Sequence, residues 1–142
     1  MHGVSTSHSR ADISVRNVSV TTDEPLARGG TNVAASPTET MISALIRCTN
    51  NVTIRIAEHK KLNFELISID ADVIFDRRVV VLAEEIDVPF PEITLTITAK
   101  TDASAEQLKE VQEMLPIVCP VSRVFRRRAE ISSRSVTSLT SF

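Results

Sequence analysis

A helix start at Ser36-Pro37-Thr38-Glu39, followed by a long apolar stripe, constrains the fold more than any other feature. Ser36 can accept hydrogen bonds from the first helical turn. Pro37 is well tolerated at the first helical position, because the N–H that proline lacks has no partner within the helix there. Glu39, three residues past the cap, completes a capping box. The stripe that follows consists of Met41, Leu45, Cys48, Val52 and Ile56. The pattern predicts a largely buried helix of about 24 residues, roughly 36 Å long, around which everything else must pack.

Alternation of apolar and polar residues predicts strands before and after this helix. The predicted strands cover residues 13–20, 62–66, 67–73, 77–83, 93–99 and 129–136, the first with a turn or bulge at Arg16-Asn17. A second helix is predicted from Ser104, with Pro116 ending or kinking it. Because strands outnumber helices and no regular βαβ alternation occurs, the favoured fold class is α+β, with an antiparallel sheet packed on the long helix.

The division of the chain is predicted from its length and its polar segments. With 142 residues the chain can bury one sizeable core, so a single domain is expected over residues 12–142. Residues 1–11 are polar and unpatterned, and they are interpreted as a flexible N-terminal arm. Residues 21–36 form a loop that is long by usual standards and therefore invites a functional explanation.

Charge and composition argue against several function classes. The 16 Lys and Arg against 18 Asp and Glu leave a net charge of −2, and the chain has no Trp, no Tyr and five Phe. No nucleic-acid partner is therefore expected. The basic cluster of Arg123 and residues 126–128 is interpreted as solvated surface or as salt bridges at a dimer interface. Three glycines are too few for a Gly-rich phosphate loop.

Neither a membrane span nor a metal site is predicted. The longest apolar run, residues 79–83, is far shorter than the about 20 residues that a span needs, and residues 1–10 lack the apolar core of a signal peptide. A cytoplasmic location is therefore expected. The sequence contains no HExxH or CxxC motif, so a zinc site is not expected. His59, on which a Ser-His-Asp site would depend, is interpreted as a solvent-facing residue near a helix end.

Thiol chemistry can come only from Cys48 and Cys119. Buried free cysteine often serves as a small apolar residue, and Cys48 lies on the apolar stripe, so a structural role is one interpretation. A reactive role is the other interpretation. Arg47 adjoins Cys48 and Arg123 follows Cys119 by four residues, and nearby positive charge favours the reactive thiolate form of a thiol.

A set of short motifs resembles the OsmC/Ohr family, the osmotically inducible protein C and organic hydroperoxide resistance proteins. The matching runs are Asp23-Glu24-Pro25, Gly29-Gly30-Thr31-Asn32, Ser36-Pro37-Thr38-Glu39, Ala44-Leu45, Cys48-Thr49 and, farther along, Cys119-Pro120-Val121. No single run is specific, but their combination is. The likeness extends over nearly the whole chain, from residue 12 to residue 136.

The resemblance implies an OsmC-like α+β fold, in which an antiparallel sheet wraps around a long central helix in an intertwined homodimer. It also implies a thiol peroxidase that reduces organic hydroperoxides at the subunit interface. Cys48 would be the nucleophile that becomes a sulfenic acid, and Cys119 would resolve it as an intramolecular disulfide. An external dithiol would restore both thiols, and no metal, flavin or haem is expected. The two Cα atoms must then approach within about 7 Å.

The resemblance suggests two further site residues, Glu39 and Arg28. Glu39 matches the family's helix-start Glu, but it precedes Cys48 by nine residues, which puts the two on opposite sides of a straight helix, about 13 Å apart along its axis. Glu39 is therefore either a cap alone or a site residue that reaches a thiol of the partner subunit or acts through an intermediary. The hypothesis for the second case is a site completed across a dimer. The family's catalytic Arg, which pairs with that Glu, has no exact match here. Arg28 is favoured over Arg16, and Arg10 is the remaining upstream candidate.

One departure from the family keeps a second hypothesis open. After Cys119-Pro120-Val121 the chain continues with Ser122-Arg123, where many relatives have His. If no arginine reaches Cys48, the chain is a non-catalytic relative. It would then bind a small apolar ligand or sense redox state through its cysteines.

Overall fold

The computed structural model describes residues 1–126 and the backbone of Glu130–Ser138. Two compact units are present, of which the first is Met1–Ala44 and the second begins at Leu45. Within the described residues, no helix has both the length and the hydropathy that crossing a lipid bilayer requires.

The first unit contains an antiparallel sheet of three strands, ordered β1 (His2–Ser5), β2 (Ala11–Val15) and β3 (Val18–Thr22). Strands β2 and β3 form a hairpin with Arg16-Asn17 at its turn, where Arg16 adopts a positive φ of 54°. The parity slip seen in the sequence is therefore a turn. Strand β1 lies within residues 1–11, and the flexibility of that segment stays a prediction.

Helix α1 spans Pro37–His59, so its predicted start is confirmed. The backbone N–H and the hydroxyl of Ser36 both donate to Glu39 Oε2, at 2.7 and 2.8 Å. The backbone N–H of Glu39 donates back to Ser36 Oγ at 3.4 Å. Both halves of the predicted capping box are therefore present.

The buried face of α1 differs from the predicted stripe. Its buried residues are Leu45, Thr49, Thr53, Ile56 and Ala57. Met41 is 37% exposed, so its prediction as a core residue is wrong. Cys48 and Val52 are half-buried. Thr49 and Thr53 were missed because a search for aliphatic side chains counts threonine as polar.

The second unit contains a sheet ordered β4 (Phe64–Ile74), β5 (Glu92–Thr101) and β6 (Glu130–Ser138). Strands β4 and β5 are antiparallel, with Ile69 opposite Ile97 and a register shift between Leu66 and Ser68. This bulge explains why two predicted strands of opposite parity form one continuous strand. The predicted α+β class is thus confirmed, and so is antiparallel pairing in both sheets, within the first unit and between β4 and β5.

Strand β6 pairs with β5 in parallel, because two helices carry the chain back across the sheet. These helices are α2 (Ala105–Val118) and α3 (Pro120–Phe125). Ser104 caps α2 in a capping box with Gln107, as predicted. The helix does not end at Pro116 but continues to Val118. Ala129, the first residue of the predicted final strand, lies outside the described residues.

The core of the second unit joins α1, β5 and α2. Its buried centre consists of Ile56, Ile97, Val111 and Leu115, against which Val52, Leu62, Leu66, Ile69 and Met114 pack. Aliphatic packing of this kind is the main source of stability in a small domain. It also holds the part of α1 that carries Cys48 in a fixed relation to α2.

Residues 77–83 do not form the strand that their apolar run predicts. The backbone N–H groups of Val80 and Val81 donate to the carbonyl of Arg77, within the same segment. Leu82 has a positive φ of 58°, which extended strands do not adopt. The segment therefore forms turns between β4 and β5, and Val80, Val81 and Leu82 are exposed rather than buried.

Candidate active site

The two cysteines meet in the second unit, although 71 residues separate them in the chain. Cys48 lies on α1 and is half-buried, whereas Cys119 lies between α2 and α3 and is 1% exposed. Both are free thiols. Their Sγ atoms are 3.1 Å apart, with the Cys119 thiol donating to Cys48 Sγ. A disulfide requires about 2.0 Å, so bond formation needs a movement of only about 1 Å.

Backbone hydrogen bonds fix the position of Cys119. Its N–H donates to the carbonyl of Leu115 at 2.9 Å, which closes the last turn of α2. Its Sγ accepts from the N–H of Ser122 at 3.4 Å and thereby caps the start of α3. Pro120 occupies the first position of α3, where the lack of an N–H costs nothing. Cys119 is therefore held between two helix ends, by its backbone at the end of α2 and by its sulfur at the start of α3.

The surroundings of Cys119 keep its thiol protonated. Burial raises the pKa of the Cys119 thiol, and the interactions with Cys48 raise it further, although the Ser122 N–H acts in the opposite direction. A protonated thiol can donate a hydrogen bond to a neighbouring sulfur. Cys119 is thus suited to be the proton-bearing member of the pair.

The two arginines nearest in sequence to the thiols, Arg47 and Arg123, do not have the cysteine sulfurs as their recorded hydrogen-bond partners. The guanidinium of Arg47 donates to the Oδ1 atoms of Asn50 and Asn51, at 2.7 and 2.9 Å. Arg123 is exposed on α3.

Among residues 1–126, no three His, Cys, Asp or Glu side chains are grouped as metal ligands.

A small, mostly apolar cavity adjoins Cys119. Its volume is about 40 Å³, and it is lined by Thr49, Leu95, Ile97, Leu115, Pro116, Cys119 and Ser122. This space admits a few water molecules but not an organic molecule of ordinary size. A larger substrate would therefore need more space than this cavity offers.

Glu39 and Arg28 interact within the first unit. Hydrogen bonds from the Ser36 backbone and hydroxyl lower the pKa of the Glu39 carboxyl, and the positive charge of Arg28 lowers it further. Arg28 ends a short 3₁₀ turn, Leu26–Arg28, and its Nε lies 2.7 Å from Glu24 Oε2. Glu39 therefore combines its cap role with an electrostatic link to Arg28.

The other upstream arginines have different positions. Arg10 pairs with Asp12 at 3.4 Å, and Arg16 forms the β2–β3 turn. Only for Arg28, among these three, does the structure record an effect on Glu39. This favours the sequence-based preference for Arg28, whereas the catalytic roles of Arg28 and Glu39 stay predictions.

Asp23 organises the loop that carries Arg28, whereas the sequence analysis named it only within a family motif and gave it no role. The buried Asp23 carboxylate accepts from Thr31 Oγ1 at 2.6 Å and from the backbone N–H groups of Glu24, Thr31 and Val33. These bonds, the Thr31 hydroxyl first, hold the pKa of Asp23 at about 2. Its position at the end of β3, before a Gly-Gly turn, was the available signal.

Comparison with known proteins identifies the family. A family model described as OsmC-like protein matches residues 29–134, more than half of the chain. This chain belongs to the OsmC family. No curated protein matches it in sequence.

Solved structures agree with this membership. The OsmC-family chain is 17% identical to the OsmC like protein from Mycoplasma pneumoniae, with 98% of this chain and 95% of that chain covered and a TM-score of 0.80. An organic hydroperoxide resistance protein from Elizabethkingia anophelis is 16% identical, with 96% and 94% covered and a TM-score of 0.69. The organic hydroperoxide resistance protein OsmC from Legionella pneumophila is 14% identical, with 97% and 94% covered and a TM-score of 0.63. At these identities the likeness establishes the OsmC-like fold.

Proposed function

We propose that this OsmC-family protein is a thiol peroxidase that reduces organic hydroperoxides. The observation that carries the proposal is the 3.1 Å separation of the Cys48 and Cys119 sulfur atoms, which are free and distant in sequence. A structural role for two apolar cysteines does not require their sulfur atoms to meet. The names of the proteins from Elizabethkingia and Legionella, which refer to organic hydroperoxide resistance, give the substrate class.

The proposed reaction has three balanced steps. The Cys48 thiolate attacks the O–O bond of the hydroperoxide, which gives a sulfenic acid on Cys48 and releases an alkoxide that takes up a proton as the alcohol. The Cys119 thiol then attacks the Cys48 sulfur, forming the disulfide and releasing water. An external dithiol reduces this disulfide and is itself oxidised.

The assignment of the two roles follows from exposure and protonation. Cys48 is half-buried and so more accessible to a peroxide than Cys119, which is 1% exposed. Cys119 retains its proton because burial raises its pKa, and it points that proton at Cys48. This arrangement favours Cys48 as the nucleophile, because Cys48 is the more exposed of the two sulfur-bearing residues and Cys119 is the member of the pair that carries the donated proton.

Arg28 and Glu39 enter the proposal through the family resemblance. In active relatives an arginine paired with the helix-start Glu activates the nucleophile, and here Arg28 contributes to the lowered pKa of Glu39. We assign these two residues the same role. The resemblance also implies a homodimer with the reaction centre at the subunit interface.

The test uses the intact mass of the reduced protein before and after one equivalent of tert-butyl hydroperoxide. The wild-type chain should lose two hydrogens as the disulfide forms. Cys119→Ser should instead gain one oxygen, trapped as the sulfenic acid by dimedone, and Cys48→Ser should remain unchanged. Turnover with dithiothreitol as the dithiol should require both cysteines.

The alternative is a non-catalytic protein that binds an apolar ligand or senses redox state. Its support is the apolar lining of the cavity beside Cys119, but about 40 Å³ is far below the ~300 Å³ at which ligand pockets begin. Absence of turnover with tert-butyl hydroperoxide and dithiothreitol would favour this alternative over the peroxidase.

A further inference from the structure

The cavity beside Cys119 has three polar side chains in an otherwise apolar wall. Seven residues line it, and of these only Thr49, Cys119 and Ser122 have a polar atom in the side chain. Thr49 lies on α1 and Ser122 on α3, and they are 3% and 5% exposed. Two helices therefore bring buried, hydroxyl-bearing residues to the cavity that adjoins the Cys119 sulfur.

The hydroxyls of Thr49 and Ser122 lack protein partners within the described part of the chain. A hydroxyl on a helix can donate to the carbonyl four residues earlier, as Ser43 Oγ does to Glu39 at 2.9 Å, but neither of these two residues does so. Buried hydroxyl groups are nearly always paired, and where no protein group pairs with them the partner is an ordered water molecule. Both hydroxyls are therefore available to bind water.

The size of the cavity suits water and excludes larger ligands. Its volume is about 40 Å³. One water molecule needs about 10–15 Å³ of such space and about two to four polar partners. The hydroxyls of Thr49 and Ser122 and the sulfur of Cys119 supply these partners, so the cavity meets both requirements of a water site.

The step that forms the disulfide needs an acceptor for the Cys119 proton. The thiolate is the nucleophile in thiol chemistry, whereas burial raises the pKa of the Cys119 thiol. Cys119 attacks the Cys48 sulfenic acid in line with its S–O bond, so the oxygen departs on the side of the Cys48 sulfur that faces away from Cys119. The departing oxygen therefore cannot take the Cys119 proton directly.

No carboxylate or imidazole among the described residues acts on Cys119. Besides burial, the groups that influence the pKa of its thiol are Cys48 and the backbone of Ser122 and Val121. Strand β5 and helix α2 present only apolar residues to the cavity, and Arg123 on α3 is exposed. Water in the cavity is the remaining acceptor beside the sulfur.

We propose that the hydroxyls of Thr49 and Ser122 hold a water molecule against Cys119 Sγ and that this water accepts the Cys119 proton during disulfide formation. The electron pair left on Cys119 forms the S–S bond as the S–O bond of Cys48 breaks. The departing hydroxide takes up a proton from solvent, so sulfenic acid and thiol give disulfide and water. Pro116 lines both the cavity and an open surface groove, which gives the accepted proton a short route to solvent.

Thr49 and Ser122 are thus positioning residues, because they act on Cys119 through the water. The water site stands on the cavity and its hydroxyls alone, whereas the role of the water as proton acceptor rests on the proposed function. The site and the role are therefore tested by different measurements.

A crystal structure of the reduced protein tests the water site. It should show an ordered water within about 3.2 Å of both hydroxyl oxygens and in contact with Cys119 Sγ. In Thr49→Val, which keeps the shape of the side chain and removes its hydroxyl, that water should be lost or displaced. A dry cavity in the wild-type protein would overturn the inference.

Rapid quenching followed by intact mass tests the role of the water. Reduced protein reacts with one equivalent of tert-butyl hydroperoxide, and the masses of sulfenic acid and disulfide follow the two steps. Thr49→Val and Ser122→Ala should each slow the conversion of sulfenic acid into disulfide by about tenfold near pH 7, and sulfenic acid formation by less than about twofold. The difference from the wild type should shrink as the pH rises, because solvent then removes the Cys119 proton without the bound water.

Thr53→Val is the matched control on the same helix. Thr53 is fully buried and its Oγ1 also lacks a partner, but it does not line the cavity. Its substitution should leave both rates within about twofold of the wild type. Thr49→Ser restores the hydroxyl and should recover most of the lost rate. The double variant of Thr49→Val and Ser122→Ala should be no slower than the slower single variant, because both hydroxyls hold one water.

The possible results separate this inference from the proposed function. Equal slowing of both steps, or a slowing that is the same at every pH, would point to displaced helices and overturn the role of the water. Disulfide formation at the wild-type rate in both variants would also overturn that role and leave the peroxidase intact. A protein that forms no sulfenic acid would refute the proposed function, and the crystal structure would still decide the water site.

Discussion

The backbone N–H of Ser122 donates to Cys119 Sγ at 3.4 Å, so one sulfur both caps α3 and contacts the candidate nucleophile. Cys119→Ser should keep this cap, because a serine hydroxyl accepts the same hydrogen bond. Cys119→Ala should lower the free energy of unfolding by about 1 kcal/mol relative to Cys119→Ser, since the Ser122 N–H loses its acceptor. Urea unfolding followed by circular dichroism measures this, because the chain has no Trp or Tyr for fluorescence.

Both substitutions should abolish the disulfide. The effect of the Cys119 cap on stability can therefore be measured separately from the role of Cys119 in forming the disulfide. If alanine and serine at position 119 give equal stability, the sulfur does not cap α3. The comparison then still shows whether Cys119 resolves Cys48, because that result depends only on mass.

Glu39 has a cap role and a predicted catalytic role, and two substitutions distinguish them. Glu39→Gln keeps an oxygen acceptor for Ser36, so the free energy of unfolding should change by less than about 0.5 kcal/mol. Glu39→Ala removes that acceptor and should cost about 1 kcal/mol. Both remove the charge near Arg28, and each should lower kcat/KM by at least about tenfold.

Full activity in Glu39→Gln would make Glu39 a cap and nothing more. Arg28→Ala provides the companion measurement. Its loss of kcat/KM should not add to that of Glu39→Gln in the double variant, because the two charges act as a pair.

The features of this fold that the sequence predicts correctly are those determined by residues close together in the chain. The start of α1 follows from Ser36 and Glu39, which lie three residues apart and bond to each other. The bulge in β4 likewise appears in the sequence as a change of parity between Leu66 and Ile67. In each case the residues that determine the feature are neighbours, so their spacing is sufficient.

The features that the sequence did not predict depend on contacts between residues that are far apart in the chain. The apolar run at Val80–Leu82 predicts a buried strand, because a pattern cannot tell burial in the core from exposure at a loop tip. The proximity of Cys48 and Cys119 came from resemblance and not from spacing. The role of Asp23 was missed because its four donors come from a loop that exists only after folding.

Asp23 should make the first unit sensitive to acid. Its pKa is held at about 2, below the ordinary 3.8, so its ionised form stabilises the folded chain above about pH 4. This stabilisation is lost as the pH falls towards 2, because protonation removes acceptors for Thr31 and Val33. Asp23→Asn should lower Tm at pH 7 and flatten the fall of Tm between pH 4 and 2. Asp102→Asn, at an exposed site, serves as the control, and equal slopes in all three proteins would contradict this role.

When each glycine of the first unit is changed to alanine, the loss in free energy of unfolding should be largest at Gly30, smaller at Gly29 and smallest at Gly3. A Cβ at Gly30 would lie 1.7 Å from the carbonyl oxygen of Glu24, so Gly30→Ala must displace the loop backbone and should cost about 3 kcal/mol or more. Gly29 has a φ of +81°, and its alanine variant should cost about 1–2 kcal/mol. Gly3→Ala meets only Ile13 Cγ1 at 3.7 Å and should be close to neutral. Urea unfolding gives the three values, and a Gly30→Ala protein as stable as Gly3→Ala would show that the loop carrying Arg28 is not packed as described.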